Sequence, residues 1–179
     1  MADFFIALRV ARFFDYLLDH DAPVRADKDM LASYGAELAE VYEACLLIMQ
    51  HRVGAFSTPR FGTENADILS GSNVADILVG LDGDDTLRGD MRGDILIGGR
   101  GDDTYIWNPG DGDDIIVDAN VDAESNVLRI GTGASRGKST VKTVADEITL
   151  TIGETGERIT LRTTAPGSPA AKVEFMGDV

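Results

Sequence analysis

Residues 80–88 read GLDGDDTLR, and Gly89 and Asp90 open the same phrase again. Four carboxylates (Asp82, Asp84, Asp85 and Asp90) crowd this stretch, with Arg88 as the basic side chain among them. Like charges so close repel, and the glycines Gly80 and Gly83 make the backbone costly to order. Such a segment either stays unfolded or is held by something positive.

Setting the chain in nines from Gly62 shows which. The blocks are GTENADILS, GSNVADILV, GLDGDDTLR, GDMRGDILI and GGRGDDTYI. Gly opens every one, at 62, 71, 80, 89 and 98. Asp holds the sixth place at 67, 76, 85, 94 and 103. Leu69, Leu78, Leu87, Leu96 and Tyr105 hold the eighth. After a slip of two residues a sixth unit, PGDGDDIIV, puts Asp114 and Ile116 in the matching places. Three fixed positions over five consecutive units define a repeat, and each unit is too small to bury a core alone. The pattern predicts a turn of six residues and a strand of three with one inward apolar side chain.

If two units complete one coil, residues eighteen apart lie above one another. Asp67, Asp85 and Asp103 then form one column, and Asp76, Asp94 and Asp114 the opposite one. Turn chemistry alone favours Asp and Gly. It leaves unexplained the adjacent acid pairs Asp84-Asp85, Asp102-Asp103 and Asp113-Asp114, which have little basic compensation. Oxygen donors from Asp and from turn carbonyls suit Ca²⁺, with six to eight ligands and tolerant geometry. Zinc and copper prefer His or Cys, and both histidines, His20 and His51, lie outside the repeat.

On these residues the sequence resembles the RTX, or haemolysin-type calcium-binding, family, whose nonapeptide is G-G-x-G-x-D-x-U-x with U a large apolar residue. GLDGDDTLR and GGRGDDTYI match it well, and the likeness covers roughly residues 62–176. The resemblance implies a parallel β-roll and several Ca²⁺ ions, each held by a sixth-place Asp and by oxygens of the neighbouring turn. Carried onto this chain, Asp85 pairs with Asp103, whose loops keep glycine at places one and four (Gly80, Gly83, Gly98, Gly101), and Asp82 adds a carboxylate. Asp94 pairs with Asp114 on the other side, with Asp111 nearby and Arg92 in place of the fourth glycine. Asp67 and Asp76 complete the ligand set. Asn65 and Val74 stand at place four of the first two units; Val, being β-branched, resists a left-handed turn and predicts a weaker site around Asp76.

Three zones follow, mainly β: a helical hairpin over 1–60, the roll over 61–118 and a β-rich cap over 119–179. Residues 3–20 are apolar around most of a helix, with Arg9, Arg12, Asp15 and Asp19 as a polar stripe. A second helix is predicted from Lys28 to Val53, where Tyr34, Leu38, Val41, Cys45 and Ile48 form a seam. No family resemblance covers this hairpin. Beyond residue 120, the alternation in NVLRI, EITLTI and RITLRT puts Ile148, Leu150, Ile152, Ile159 and Leu161 on one face, with GETG as a hairpin turn and VEFM as a last strand.

The chain has 179 residues, a net charge of −15 and a pI near 4.3, which argues against nucleic acid and anionic membranes as partners. The charge is local: residues 62–118 carry fourteen acids against three arginines. Without a cation that stretch stays expanded, so calcium binding is folding. One cysteine, Cys45, excludes an internal disulfide and a Cys-based metal site. The N-terminus is a poor cleavable signal, and RTX resemblance implies type I export with an uncleaved C-terminal signal. There is no H-E-x-x-H and no G-x-S-x-G, so no enzyme activity is expected. Two readings remain at this level: a secreted calcium-binding module, or an accessory subunit whose apolar N-terminal helices dock onto a protein partner, a second copy or a membrane surface.

Overall fold

The computed structural model describes residues 60–118, 125–144, 147–163 and 171–177. The predicted helical hairpin lies outside them, as does the C-terminal residue pair. The described residues hold twelve strands and no helix. In chain order these are β1 (Arg60–Phe61), β2 (Ile68–Ser72), β3 (Ile77–Asp82), β4 (Thr86–Asp90), β5 (Ile95–Arg100) and β6 (Thr104–Trp107). They continue as β7 (Asp114–Asp118), β8 (Val127–Ile130), β9 (Thr140–Val144), β10 (Glu147–Thr151), β11 (Arg158–Thr163) and β12 (Lys172–Phe175).

Successive repeat units go to opposite sheets. Odd strands β1, β3, β5 and β7 stack in parallel in one sheet, and even strands β2, β4, β6 and β8 in the other. Leu69 pairs with Leu87 and Leu87 with Tyr105; opposite them Leu78 pairs with Leu96. Every one of these steps spans eighteen residues, the coil expected from the nonapeptide. The two-residue slip shows as a step of twenty, from Leu96 to Ile116. The fold is therefore a parallel β-roll.

Eighth-place side chains from both sheets meet inside: Leu78, Leu87, Leu96, Tyr105 and Ile116 belong to one buried cluster with Leu128, Ile159 and Leu161. Each fully buried Leu or Ile contributes about 1.5–3 kcal/mol, so neighbouring turns, not single units, carry the stability. The strands are longer than the three residues expected. Because Gly at place one continues the extended run, β3 and β5 reach six residues. Places seven and nine on the odd sheet are also apolar and buried (Ile77, Val79, Ile95, Ile97, Val117), which reads as a sheet buried on both faces. The even sheet carries Ser70, Thr86, Arg88 and Thr104 at those places, with Ile68 exposed and Ile106 half-buried.

The roll does not stop at residue 118. Strand β8 continues the even sheet, with Leu128 against Tyr105 after a step of twenty-three, and β12 adds in parallel with Val173 against Leu128. Strand β11 continues the odd sheet, Leu161 against Ile116. There the direction turns over: β10 pairs antiparallel with β11 and with β9. The GETG segment makes the β10–β11 hairpin, and Leu150, Ile152, Ile159 and Leu161 share the buried face read from their alternation.

Candidate metal centre

The two aspartate columns form as the eighteen-residue coil requires. In each, one carboxylate oxygen is spent on the backbone of the turn before it. Asp67 N–H donates to Asp85 Oδ1 at 2.7 Å, and Asp85 N–H to Asp103 Oδ1 at 2.9 Å. Across the roll, Asp76 N–H donates to Asp94 Oδ1 at 2.7 Å, and Asp94 N–H to Asp114 Oδ1 at 2.9 Å. The other oxygen folds back over the glycine that opens the unit. A β-carbon on Gly80 would lie 2.1 Å from Asp85 Oδ2, and one on Gly89 2.2 Å from Asp94 Oδ2. Nothing larger than glycine fits beneath the carboxylate.

Asp85, Asp94 and Asp114 are almost wholly buried, and each leaves Oδ2 buried without a hydrogen-bond partner. An ionised oxygen in that state is expensive unless a positive charge or a proton reaches it. The titration of the three groups reflects this. Burial pushes the Asp85 carboxyl up to about 6 and Asp94 to about 7, with the backbone N–H bonds opposing and the neighbouring acids adding to the rise. Asp114 is pushed furthest, to about 9, again chiefly by burial.

Turn geometry adds main-chain oxygen to the donor set. From the third unit on, places two and four take positive φ: Leu81 (85°) with Gly83 (114°), Asp90 (67°) with Arg92 (91°), Gly99 (108°) with Gly101 (121°). Successive turns then stack so closely that carbonyls press on glycine α-carbons. A β-carbon on Gly99 would meet Leu81 O at 1.9 Å, and one on Gly101 would meet Gly83 O at 2.4 Å. Among the described residues no three His, Cys, Asp or Glu side chains converge on one point. The available donors are therefore two stacked carboxylates per column step together with turn carbonyls, a hard-oxygen set of the kind calcium takes.

The other predicted aspartates are served by the protein's own groups or are partly exposed. Asp67 is half-buried, and its Oδ2 accepts from the N–H and the hydroxyl of Thr63 at 2.6 and 2.8 Å. Asp76 Oδ2 accepts from the Ser72 hydroxyl at 2.8 Å. Asp111 is buried but braces its own turn, accepting from Asn108 N–H at 2.7 Å and Asn108 Nδ2 at 3.2 Å. Asp82 ends β3, partly exposed, close enough to raise the Asp85 carboxyl electrostatically.

The fifth-place acids have a different purpose from the one their pairing suggested. Asp84 Oδ1 accepts the N–H of Asp102 at 3.0 Å, and Asp102 Oδ1 that of Ser125 at 2.8 Å. Asp113 accepts Arg158 N–H at 2.8 Å and holds its guanidinium as well. These carboxylates satisfy the following turn and need no cation, so the case for one narrows to the sixth place. A residue missed in the sequence is Asn126, whose Oδ1 accepts Asp103 N–H at 2.7 Å and extends the first column. Its signal is Asn126-Val127-Leu128, which repeats the Asp-x-Leu phrase outside the nine-residue phase.

No family model and no curated protein sequence matches the chain. Among solved structures, it is similar to a subunit of the mannuronan C5-epimerase of Azotobacter vinelandii, with 23% identity and a TM-score of 0.44 over 68% of this chain and 94% of that one. It is also similar to the extracellular lipase of Serratia marcescens, with 27% identity and a TM-score of 0.32 over 62% of this chain. The match spans only 19% of the lipase.

Proposed function

We propose that residues 61–177 form a calcium-binding β-roll module of the RTX kind, which folds as it takes up Ca²⁺ and is not itself catalytic. The observation that carries this reading is the set of buried carboxylate oxygens on Asp85, Asp94 and Asp114 that no group of the protein satisfies. Asp85 with Asp103 would hold a cation in one column and Asp94 with Asp114 in the other, helped by turn carbonyls. A bound cation supplies the positive charge that lets these carboxylates stay ionised in the interior. The protein contributes the rest: Oδ1 fixes the register of adjacent turns, the place-one glycines admit the carboxylate, and the eighth-place side chains exclude water below it.

Ligands drawn from different turns exist as a site only when the turns are stacked, so binding and folding are one event. Calcium is scarce in cytosol and abundant outside cells, which suits a chain that stays expanded inside and orders itself after export. We therefore read the module as secreted or surface-exposed, by a type I-like route. The test is a titration of chelator-stripped protein followed by far-ultraviolet circular dichroism. Strand signal should rise between roughly 10⁻⁴ and 10⁻³ M Ca²⁺, the range of extracellular calcium modules. A spectrum unchanged up to several millimolar would refute the reading.

A further inference from the structure

We infer that cation uptake is confined to the turns from Gly80 onward, those that carry Asp85, Asp94, Asp103 and Asp114, and that the turns opening at Gly62 and Gly71 stay cation-free because this chain's own donors occupy their carboxylates. The inference rests on the calcium reading above and says where along the roll that reading stops.

Place two decides it. In the first unit that place is Thr63, whose N–H and hydroxyl both donate to Asp67 Oδ2. In the second it is Ser72, whose hydroxyl donates to Asp76 Oδ2, while the Arg60 guanidinium stands 3.9 Å from Asp76 Oδ1. In the next units place two is Leu81, Asp90 and Gly99, none with a hydroxyl. There Asp85 and Asp94 keep a buried oxygen without a partner. The backbone changes at the same point. Positive φ occurs at places two and four from Leu81 onward but not at residues 63, 65, 72 or 74. Turn shape and carboxylate satisfaction thus switch together between the second unit and the third.

The far end of the first column is closed by a different group. Asn126 spends its oxygen on Asp103 N–H as an aspartate would, and its Nδ2 is buried without a partner. An amide N–H is a donor only and offers nothing to a cation. That column is bounded by a hydroxyl at one end and an amide at the other.

Native mass spectrometry of the full chain counts bound Ca²⁺ directly, with circular dichroism as the check on folding. Asp67→Asn and Asp76→Asn should keep the ion count of the unsubstituted chain, whereas Asp85→Asn and Asp94→Asn should each lose at least one ion. The double variant Ser72→Gly with Val74→Gly, which restores glycine at places two and four, should gain one. The gain decides the matter even if an Asp→Asn chain fails to fold. Equal losses from Asp76→Asn and Asp94→Asn, or no gain in the double variant, would overturn the inference while leaving calcium binding intact. No uptake by the unsubstituted chain would instead overturn the calcium reading, and this inference with it.

Discussion

At the scale of single residues, the roll separates two reasons for glycine that a repeat consensus merges. Gly80 has no unusual φ; it is glycine because a β-carbon would meet Asp85 Oδ2 at 2.1 Å and Gly98 O at 2.4 Å. Both obstacles are fixed by stacked turns, so Gly80→Ala should cost about 2–3 kcal/mol, at the upper end of overpacking. Gly110 is the opposite case, with φ of 101° and nothing within 4 Å of an added β-carbon. Gly110→Ala should cost only the left-handed penalty, about 1–2 kcal/mol. Thermal unfolding in saturating calcium ranks the two, and a larger loss at Gly110 would contradict this division. Arg92 meets the same backbone demand without being glycine, at φ of 91° and exposed. Arg92→Gly relieves strain but adds freedom to the unfolded chain, and the strain is the larger quantity. A gain of about 1 kcal/mol is expected; a lower melting temperature would show that the arginine earns its place through its side chain.

At the scale of strands, β6 changes the interior from leucine to aromatic. Tyr105 takes the eighth place and sends its hydroxyl across the core to the buried Asp118 carboxylate at the end of β7. Trp107, two residues on, donates from Nε1 to Gly112 O at 3.0 Å. The first bond ties the two sheets, and the second fixes the turn between β6 and β7, where the repeat gives way to β8 and β11. Tyr105→Phe removes a hydrogen bond to a buried carboxylate and should cost about 1–3 kcal/mol, with packing otherwise kept; chemical denaturation measures it, and an unchanged midpoint would show that Asp118 is served equally well by other groups. The eighth-place residues were legible in sequence because period nine and a fixed apolar position have one physical solution, two sheets fed in turn. Asn126 was not, because the step of twenty-three breaks the phase that makes the aspartates visible. Nor was the division of labour between fifth and sixth places. A carboxylate that caps a backbone N–H and one that awaits a cation are the same residue type, and only the direction of the inter-turn bond tells them apart.

For the whole molecule, the columns make stability depend on what neutralises them. Asp85, Asp94 and Asp114 keep protons in the folded roll at pH values where an unfolded chain, with aspartate near 3.8, has lost them. The folded state then binds more protons than the unfolded one, and stability of the metal-free roll falls as pH rises through about 6, 7 and about 9. Stripped protein should therefore show more strand signal by circular dichroism at pH 5 than at pH 8, and a strand signal rising over that interval would contradict the burial of these groups. On the calcium reading, protons and Ca²⁺ compete for the same oxygens, so acid should also weaken uptake. The charge imbalance of residues 62–118 was readable from composition, and so was the hard-oxygen character of the donors. Which carboxylates remain unsatisfied was not, because it depends on hydroxyls two places into each turn. The account stands on those unsatisfied oxygens being where cations bind. Diffraction from crystals grown with a heavier calcium mimic such as Tb³⁺ locates them by anomalous scattering. The account predicts peaks in contact with Oδ2 of Asp85 and of Asp94; peaks elsewhere on the acidic surface, with these two oxygens bare, would contradict it.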